Sequence, residues 1–228
     1  MTLQAKRFPN AVLFDWDNTL VDTTQDTLRA LNAVCAAFEY RSITLEEFHT
    51  KPSLSIRAFI RTMVPESDVL RAESIFFQNT SHLDAVLLPH AHTIAIWLHD
   101  LKIPTGVVSN KGGDRLRKEI QRLGLSHVFD CAIGSGDTSE DKPSGGPLLH
   151  ALSQKNLAPS EDIWFVGDSV VDMMCAHHAG CTPVSVGPQA DAFAHPKIKA
   201  QNCHGLWKIL KSLKRPSPHG RSTGSSGA

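Results

Sequence analysis

The order of apolar runs predicts an α/β protein: a doubly wound, Rossmann-like parallel sheet with a small helical cap inserted after the first strand. Three observations carry this. Short β-branched apolar runs bounded by turn residues recur along the chain. Segments with helical spacing separate the later runs. One interval, from Asp22 to about Pro89, has helical pattern and no convincing strand. Regular alternation of strand and helix implies right-handed crossovers and a sheet covered on both faces.

The first strand is expected at Ala11–Trp16. Thr23 with Asp26 fits a capping box that opens the first helix of the insertion. The insertion then shows Leu28, Leu31, Val34, Cys35 and Phe38, next Ile56, Phe59, Ile60 and Met63, then Ala72, Ile75 and Phe76 at helical spacing. In "HAHTIAIWLHDL", Ile94, Trp97, Leu98 and Leu101 form one face that packs back on the sheet.

Further strands are expected at Ile103–Val108, Cys131–Gly134, Asp162–Gly167 and Thr182–Val186. The helices between them carry Leu116, Ile120 and Leu123, then Leu148, Leu149 and Leu152, then Met173, Ala176 and Ala179. Ser169 and Asp172 fit a capping box and Gly180 a helix stop. A last amphipathic helix presents Leu206, Ile209, Leu210 and Leu213. The expected division is a core of residues 1–21 and 90–214, a cap of residues 22–89, and a disordered Ser-, Gly- and Pro-rich tail, 215–228. No internal repeat is present.

With 228 residues, 41% hydrophobic and 20% charged, the chain has the composition of a soluble globular protein that can bury a sizeable core. Formal net charge is zero, but seven Lys and Arg and no acid follow Asp191. No aromatic residue interleaves those charges after Trp207, so they read as a solvated basic face, and no nucleic-acid partner is expected. Five widely spaced cysteines without a C-x-x-C pair point to reduced thiols in the cytoplasm. After "MTLQAKRFPN" only four apolar residues, Ala11 to Phe14, run up to Asp15, and no run approaches the roughly 18 of a membrane span, so neither a signal peptide nor a membrane partner is expected.

In an open parallel sheet, ligands bind outside the carboxyl ends of the strands. The polar residues expected there are Asp15, Asp17 and Thr19; Ser109, Asn110 and Lys111; Lys142; and Asp168, Ser169 and Asp172. Asp15 and Asp17 can point to one side with Trp16 between them pointing away. Two such carboxylates do not both stay ionised cheaply without a cation. Asp168 from a separate strand completes an oxygen-rich site of the kind Mg²⁺ prefers. Lys142 would supply positive charge beside a transferring group, and Ser109 would hold phosphate oxygens. Each has a plain alternative: Asp and Asn as turn residues, Ser109–Asn110 as a helix N-cap, and Lys142 as a solvated loop lysine.

Over about Ala11 to Gly187 these residues resemble the haloacid dehalogenase-like phosphatases, and within them the phosphoglycolate phosphatase-like group. "DWDNTLVD" resembles the first family motif, "VVSNK" the second, "DKPSGGP" the third and "FVGDSVVDMMCAHHAG" the fourth. The resemblance implies that Asp15 is the nucleophile and Asp17 the general acid and base. It implies that Thr19, Ser109, Asn110 and Lys142 bind the substrate phosphate. Asp15, Asp17, Asp168 and Asp172 would hold Mg²⁺, directly or through water, and Asp172 is alternatively the residue that orients Lys142. The implied partner is a small phosphorylated metabolite, 2-phosphoglycolate first, acted on by a monomer or homodimer. Pyrophosphatase, nucleotidase, sugar-phosphate phosphatase and phosphomutase activities belong to the same fold. A non-catalytic phospho-acceptor or binding module is a rival of another class.

Two positions depart from the family pattern. Asn18 stands where Gly is usual, and Asn is the next most tolerant residue of positive φ. Gly145 stands where proline is frequent, which is expected to loosen the loop behind Lys142. Arg57 and Arg61, four apart on an expected cap helix, could bind a carboxylate or second phosphate or be surface arginines. The pairs His90 and His92, and His177 and His178, lack a third ligand and are read as incidental.

Overall fold

The computed structural model describes residues 7–50, 56–80, 85–187 and 196–214. The tail expected to be disordered, 215–228, lies outside the described residues. The strands are β1 (Ala11–Phe14), β2 (Val21–Asp22), β3 (Val86–Leu87), β4 (Thr105–Gly112), β5 (Cys131–Ser135), β6 (Ile163–Gly167), β7 (Thr182–Val186) and β8 (Ile198–Ala200). Six form one sheet in the order β5-β4-β1-β6-β7-β8, and every pairing in it is parallel. The direction of strand addition reverses at β1, which lies between β4 and β6. That is the edge at which the doubly wound arrangement opens a crevice.

Side chains alternate along β1, so Ala11 and Leu13 face one core and Val12 and Phe14 the other. Under Ala11 and Leu13 lie α7 (Gly146–Ser153) and α8 (Val170–His178), contributing Leu148, Leu152, Cys175 and Ala176. On the opposite face α5 (Ala91–Asp100), α6 (Gly113–Arg122) and α9 (Cys203–Ser212) bury Ile94, Leu98, Leu116, Ile120, Leu206 and Leu210. A third cluster joins α1 (Thr24–Ala37), α3 (Ile56–Met63) and α4 (Val69–Thr80) through Leu31, Val34, Phe59, Ile60, Ala72 and Phe76. A short helix, α2 (Leu45–Thr50), lies between α1 and α3 in the chain. Among the described residues no helix is long and apolar enough to cross a membrane.

Several local expectations are corrected. β1 stops at Phe14 rather than Trp16, because the Trp16 carbonyl accepts the N–H groups of Leu20 and Val21 and turns the chain. The interval expected to lack strands contains β3, which pairs antiparallel with β2 (Val21 opposite Leu87, Asp22 opposite Val86). The second core strand runs on to Gly112, so Ser109 and Asn110 are strand residues and the N-cap of α6 is Gly112. The capping box at Thr23 does not form; the Thr23 side chain instead donates to Asn18. The box of Ser169 and Asp172 does form, in both directions. β8, with Lys199 at its centre, was not expected.

Candidate active site

Asp15 follows β1 directly, and its N–H donates to the Val166 carbonyl of the neighbouring strand at 2.8 Å. Trp16 turns away into the core, edge-on to Phe129, while Asp15 and Asp17 remain at the sheet edge. Asn18 adopts φ 57°, the left-handed conformation the turn requires. Its side chain does what a glycine could not. Oδ1 accepts from the Thr23 N–H at 3.1 Å and from the hydroxyls of Thr23 and Thr24 at 3.3 and 3.1 Å.

Lys142 is the buried centre of the site. Its ammonium donates to Asp15 Oδ1 and Asp172 Oδ1, each at 2.6 Å. Asp172 Oδ2 accepts from the Ser169 N–H and hydroxyl at 3.1 and 2.5 Å, so the helix cap aims the Asp172 carboxylate at Lys142. Gly167, the last residue of β6, makes room for this: a Cβ there would lie 2.3 Å from the Cβ of Asp172. Asp15, Asp168 and Asp172 offer ligand oxygens within 4.8 Å of one another, the one such cluster among the described residues. An all-oxygen donor set of this charge suits Mg²⁺.

The electrostatics show what the cluster lacks. Burial pushes the Asp15 carboxyl up to about 7, against the pull of Lys142 and with the help of Asp172 and Asp17. Asp168 is raised for the same reasons, burial first, then Asp172 and Asp15. Burial would lower Lys142, but Asp15 and Asp172 outweigh it and keep the ammonium charged. Three carboxylates therefore share one lysine, a surplus of negative charge that a divalent cation would neutralise.

Other expected residues are close by with different partners. Thr19 donates its hydroxyl to Asp168 Oδ1 at 3.2 Å. Ser109 is buried, and its oxygen accepts the Lys111 N–H at 3.3 Å. Asn110, expected on phosphate, spends both ends of its amide on Lys142: Nδ2 donates to the carbonyl and Oδ1 accepts the N–H, each at 2.9 Å. Asn110 thus holds the Lys142 main chain. The carboxylate of Asp17 lies outside the three-acid cluster and pairs with Lys111 at 2.7 Å.

Gly145 does not loosen its loop. A Cβ there would meet the backbone of His178 and Ala179 at 2.8 Å, so the glycine lets the end of α8 close against it. His178 Nδ1 lies 2.8 Å from the Pro143 carbonyl, a second tether of the Lys142 loop. Arg57 pairs with Asp141 at 3.1 Å, and its guanidinium lies over the Phe77 ring. Arg61 is exposed on the same helix. Two residues that sequence reasoning passed over, Glu119 and Asp141, hold cationic side chains here. Glu119 had a signal: three residues after Leu116, it falls on the apolar face of α6, where an acid is out of place.

Asp15, Asp17, Thr19, Ser109, Asn110, Lys111, Lys142, Asp168 and Asp172 line a cleft of about 1480 Å³ whose lining also includes Arg57, Phe59, Phe76 and Phe77. A family model described as haloacid dehalogenase-like hydrolase matches residues 12–186. A phosphoglycolate phosphatase of Xylella fastidiosa is 31% identical over 179 residues, covering 76% of this chain and 78% of its own. One from Vibrio cholerae is 28% identical over 183 residues, covering 75% and 80%. The crystal structure of a haloacid dehalogenase-superfamily hydrolase from Ehrlichia chaffeensis superposes with a TM-score of 0.68 at 31% identity, over 92% of this chain and 99% of that one. A match over three-quarters of the sequence, agreeing with the sheet order and the acids at its edge, places this chain in the haloacid dehalogenase-like hydrolase family.

Proposed function

We propose that the protein is a Mg²⁺-dependent phosphatase that hydrolyses a small phosphomonoester through an aspartyl-phosphate intermediate, with 2-phosphoglycolate the first candidate. The observation that carries this is the Asp15 carboxylate, held by Lys142 and clustered with Asp168 and Asp172, with Asp17 two residues on. The phosphoglycolate phosphatases among its relatives support the substrate class.

A carboxylate oxygen of Asp15 attacks phosphorus, and the ester bond to the leaving oxygen breaks. Asp17 gives that oxygen its proton. Asp17 then takes a proton from water, which attacks the phosphoryl group and releases Asp15 with inorganic phosphate. Lys142 offsets the charge gathering on Asp15 and the phosphoryl oxygens, and the Ser109 hydroxyl is free to donate to one of them. Asp15, Asp168 and Asp172 would hold Mg²⁺, which when bound supplies Lewis-acid neutralisation of the phosphoryl group. The proton relay two residues from the nucleophile argues against a durable phospho-acceptor.

Residues 22–89 serve in this reading as the cap that selects the substrate. Its aromatic wall, Phe59, Phe76 and the half-exposed Phe77, favours a second reading of the same chemistry, a phosphomonoester with a ring, such as a nucleoside monophosphate. Phosphate release with Mg²⁺ over a panel of 2-phosphoglycolate, sugar phosphates, nucleoside monophosphates and pyrophosphate tests both. Release from 2-phosphoglycolate that vanishes in Asp15→Asn is expected. An Asp15→Asn protein as active as wild type would refute the nucleophile.

A further inference from the structure

Below the catalytic pair lies a second buried charge network that the chemistry above does not use. Glu119, on α6, is almost wholly buried, yet all its visible partners are donors. Oε2 accepts from Lys111 Nζ at 2.6 Å and from the Trp16 indole N–H at 2.8 Å, and Oε1 from Arg115 Nε at 2.9 Å. Burial would raise this carboxyl, but Lys111, Trp16 and Arg115 together hold it below the ordinary value. Two of these contacts lead straight to the proposed chemistry. Trp16 is the residue between Asp15 and Asp17, and the Lys111 ammonium also forms an ion pair with Asp17, Nζ lying 2.7 Å from Oδ1.

We infer that Glu119 is a positioning residue for proton transfer: through Lys111 it holds the Asp17 carboxylate at the place where the leaving oxygen departs. The inference rests on the reading of Asp17 as general acid and base. A lysine at the rim of an open cleft has four flexible bonds and loses rotamer freedom when it is fixed. Glu119 supplies the fixing from a rigid helix, and its own carboxylate is locked by the indole and the guanidinium. With Glu119 in place, Lys111 is only 9% exposed despite lining the cleft. Without it, Lys111 is free to turn to solvent and Asp17 loses its anchor, while Asp15, Lys142 and the acidic cluster keep all their contacts.

Leaving-group dependence separates this role from a merely structural one. An alkyl phosphate such as 2-phosphoglycolate needs a proton on its leaving oxygen as the ester bond breaks, whereas p-nitrophenolate leaves without one. kcat/KM, which covers the steps through that bond cleavage, is measured for both substrates in wild type, Glu119→Gln, Lys111→Met and the double variant. The expected result is a loss of roughly 10- to 100-fold for 2-phosphoglycolate, carried by kcat rather than KM in Glu119→Gln, and under about 3-fold for p-nitrophenyl phosphate. The double variant is expected to be no worse than Lys111→Met, since both remove one anchor. If Glu119→Gln does not fold, Glu119→Asp keeps the charge, shortens the arm and is expected to show the same selective loss. Equal losses on the two substrates, or none, overturn the inference and leave the phosphatase reading standing. Wild type that cleaves only p-nitrophenyl phosphate overturns the inference too, and wild type that cleaves neither overturns both.

Discussion

Two lysines flank the loop after β1, and each bridges two acids. Lys142 joins Asp15 to Asp172, at 2.6 Å each; Lys111 joins Asp17 to Glu119, at 2.7 and 2.6 Å. In both cases one acid belongs to the proposed catalytic pair and the other is a buried anchor on a helix. The difference lies in the balance of charge. Around Lys111, Arg115 brings a second cation, so two acids meet two bases. Around Lys142, Asp168 brings a third acid and no base, so three acids meet one lysine. The first arrangement is complete in itself and serves to hold a side chain. The second would be completed by the divalent cation of the proposed mechanism, a reason for gathering acids against the cost of burial.

Removing the lysines separates the two sides most sharply. Lys142→Met takes away the charge beside the proposed nucleophile, and turnover is expected to fall by roughly 10²–10³-fold or more on activated and unactivated phosphate esters alike. Lys111→Met is expected to spare the activated ester. kcat/KM with both substrates reads the contrast; a Lys142 variant selective for leaving group would erase it.

The metal tests the charge surplus without reference to turnover. Saturating Mg²⁺ at about 100 times its dissociation constant is expected to stabilise the native protein by about 2.7 kcal/mol, seen as a raised melting temperature. Asp168→Asn should lose that rise, and Glu119→Gln should keep it. Equal Mg²⁺ responses in the two variants would mean that the surplus is not where the cation binds.

The Lys142 side was the legible one. Its acids and lysine follow strands that announce themselves as β-branched runs, and acids behind a buried strand are conspicuous. The Lys111 side was harder to read because "RLRKE" reads as a solvated helix with paired charges; its one sign is that Glu119 falls on the apolar face of α6, where it meets the Trp16 indole. Short elements were hidden for a related reason. β2 and β3 have two residues each, and their pairing depends on the Asn18 turn bringing Val21 beside Leu87, a long-range event with no local period. β8 has three residues around a lysine and joins only because β7 offers its edge. Thr23 shows the reverse failure: the sequence has the capping pattern, but the Asn18 amide competes for the hydroxyl and wins.

Asn110 gives a smaller effect on the Lys142 side alone. Its amide satisfies the N–H and carbonyl of Lys142, so Asn110→Ala strands two main-chain groups at a partly buried site. The expected cost is about 1–3 kcal/mol of stability in urea denaturation. Turnover should fall with it on both substrates, as the Lys142 ammonium loses its fixed mount. A variant that loses stability and keeps full turnover would show that Lys142 is placed by its salt bridges alone.

The smallest expected effect is a difference in how stability depends on pH, and the two sides have opposite signs. Glu119 is held below its ordinary value of 4.5 in the folded protein. Its contribution is therefore complete above that value and is lost as pH falls through the lower folded value, so stability rises with pH across that window. Asp15 is held above its ordinary 3.8, at about 7. In metal-free protein the folded state keeps a proton that the unfolded state releases, so this side loses stability as pH rises from about 4 towards 7. Urea midpoints of metal-free protein measure both slopes. Glu119→Gln should flatten the acid limb below 4.5, and Asp15→Asn should flatten the fall towards neutrality, making that variant the more stable protein at pH 7 without metal. Added Mg²⁺ should abolish the second slope and leave the first, because the cation neutralises the acids around Lys142 and has no place in the balanced set around Lys111.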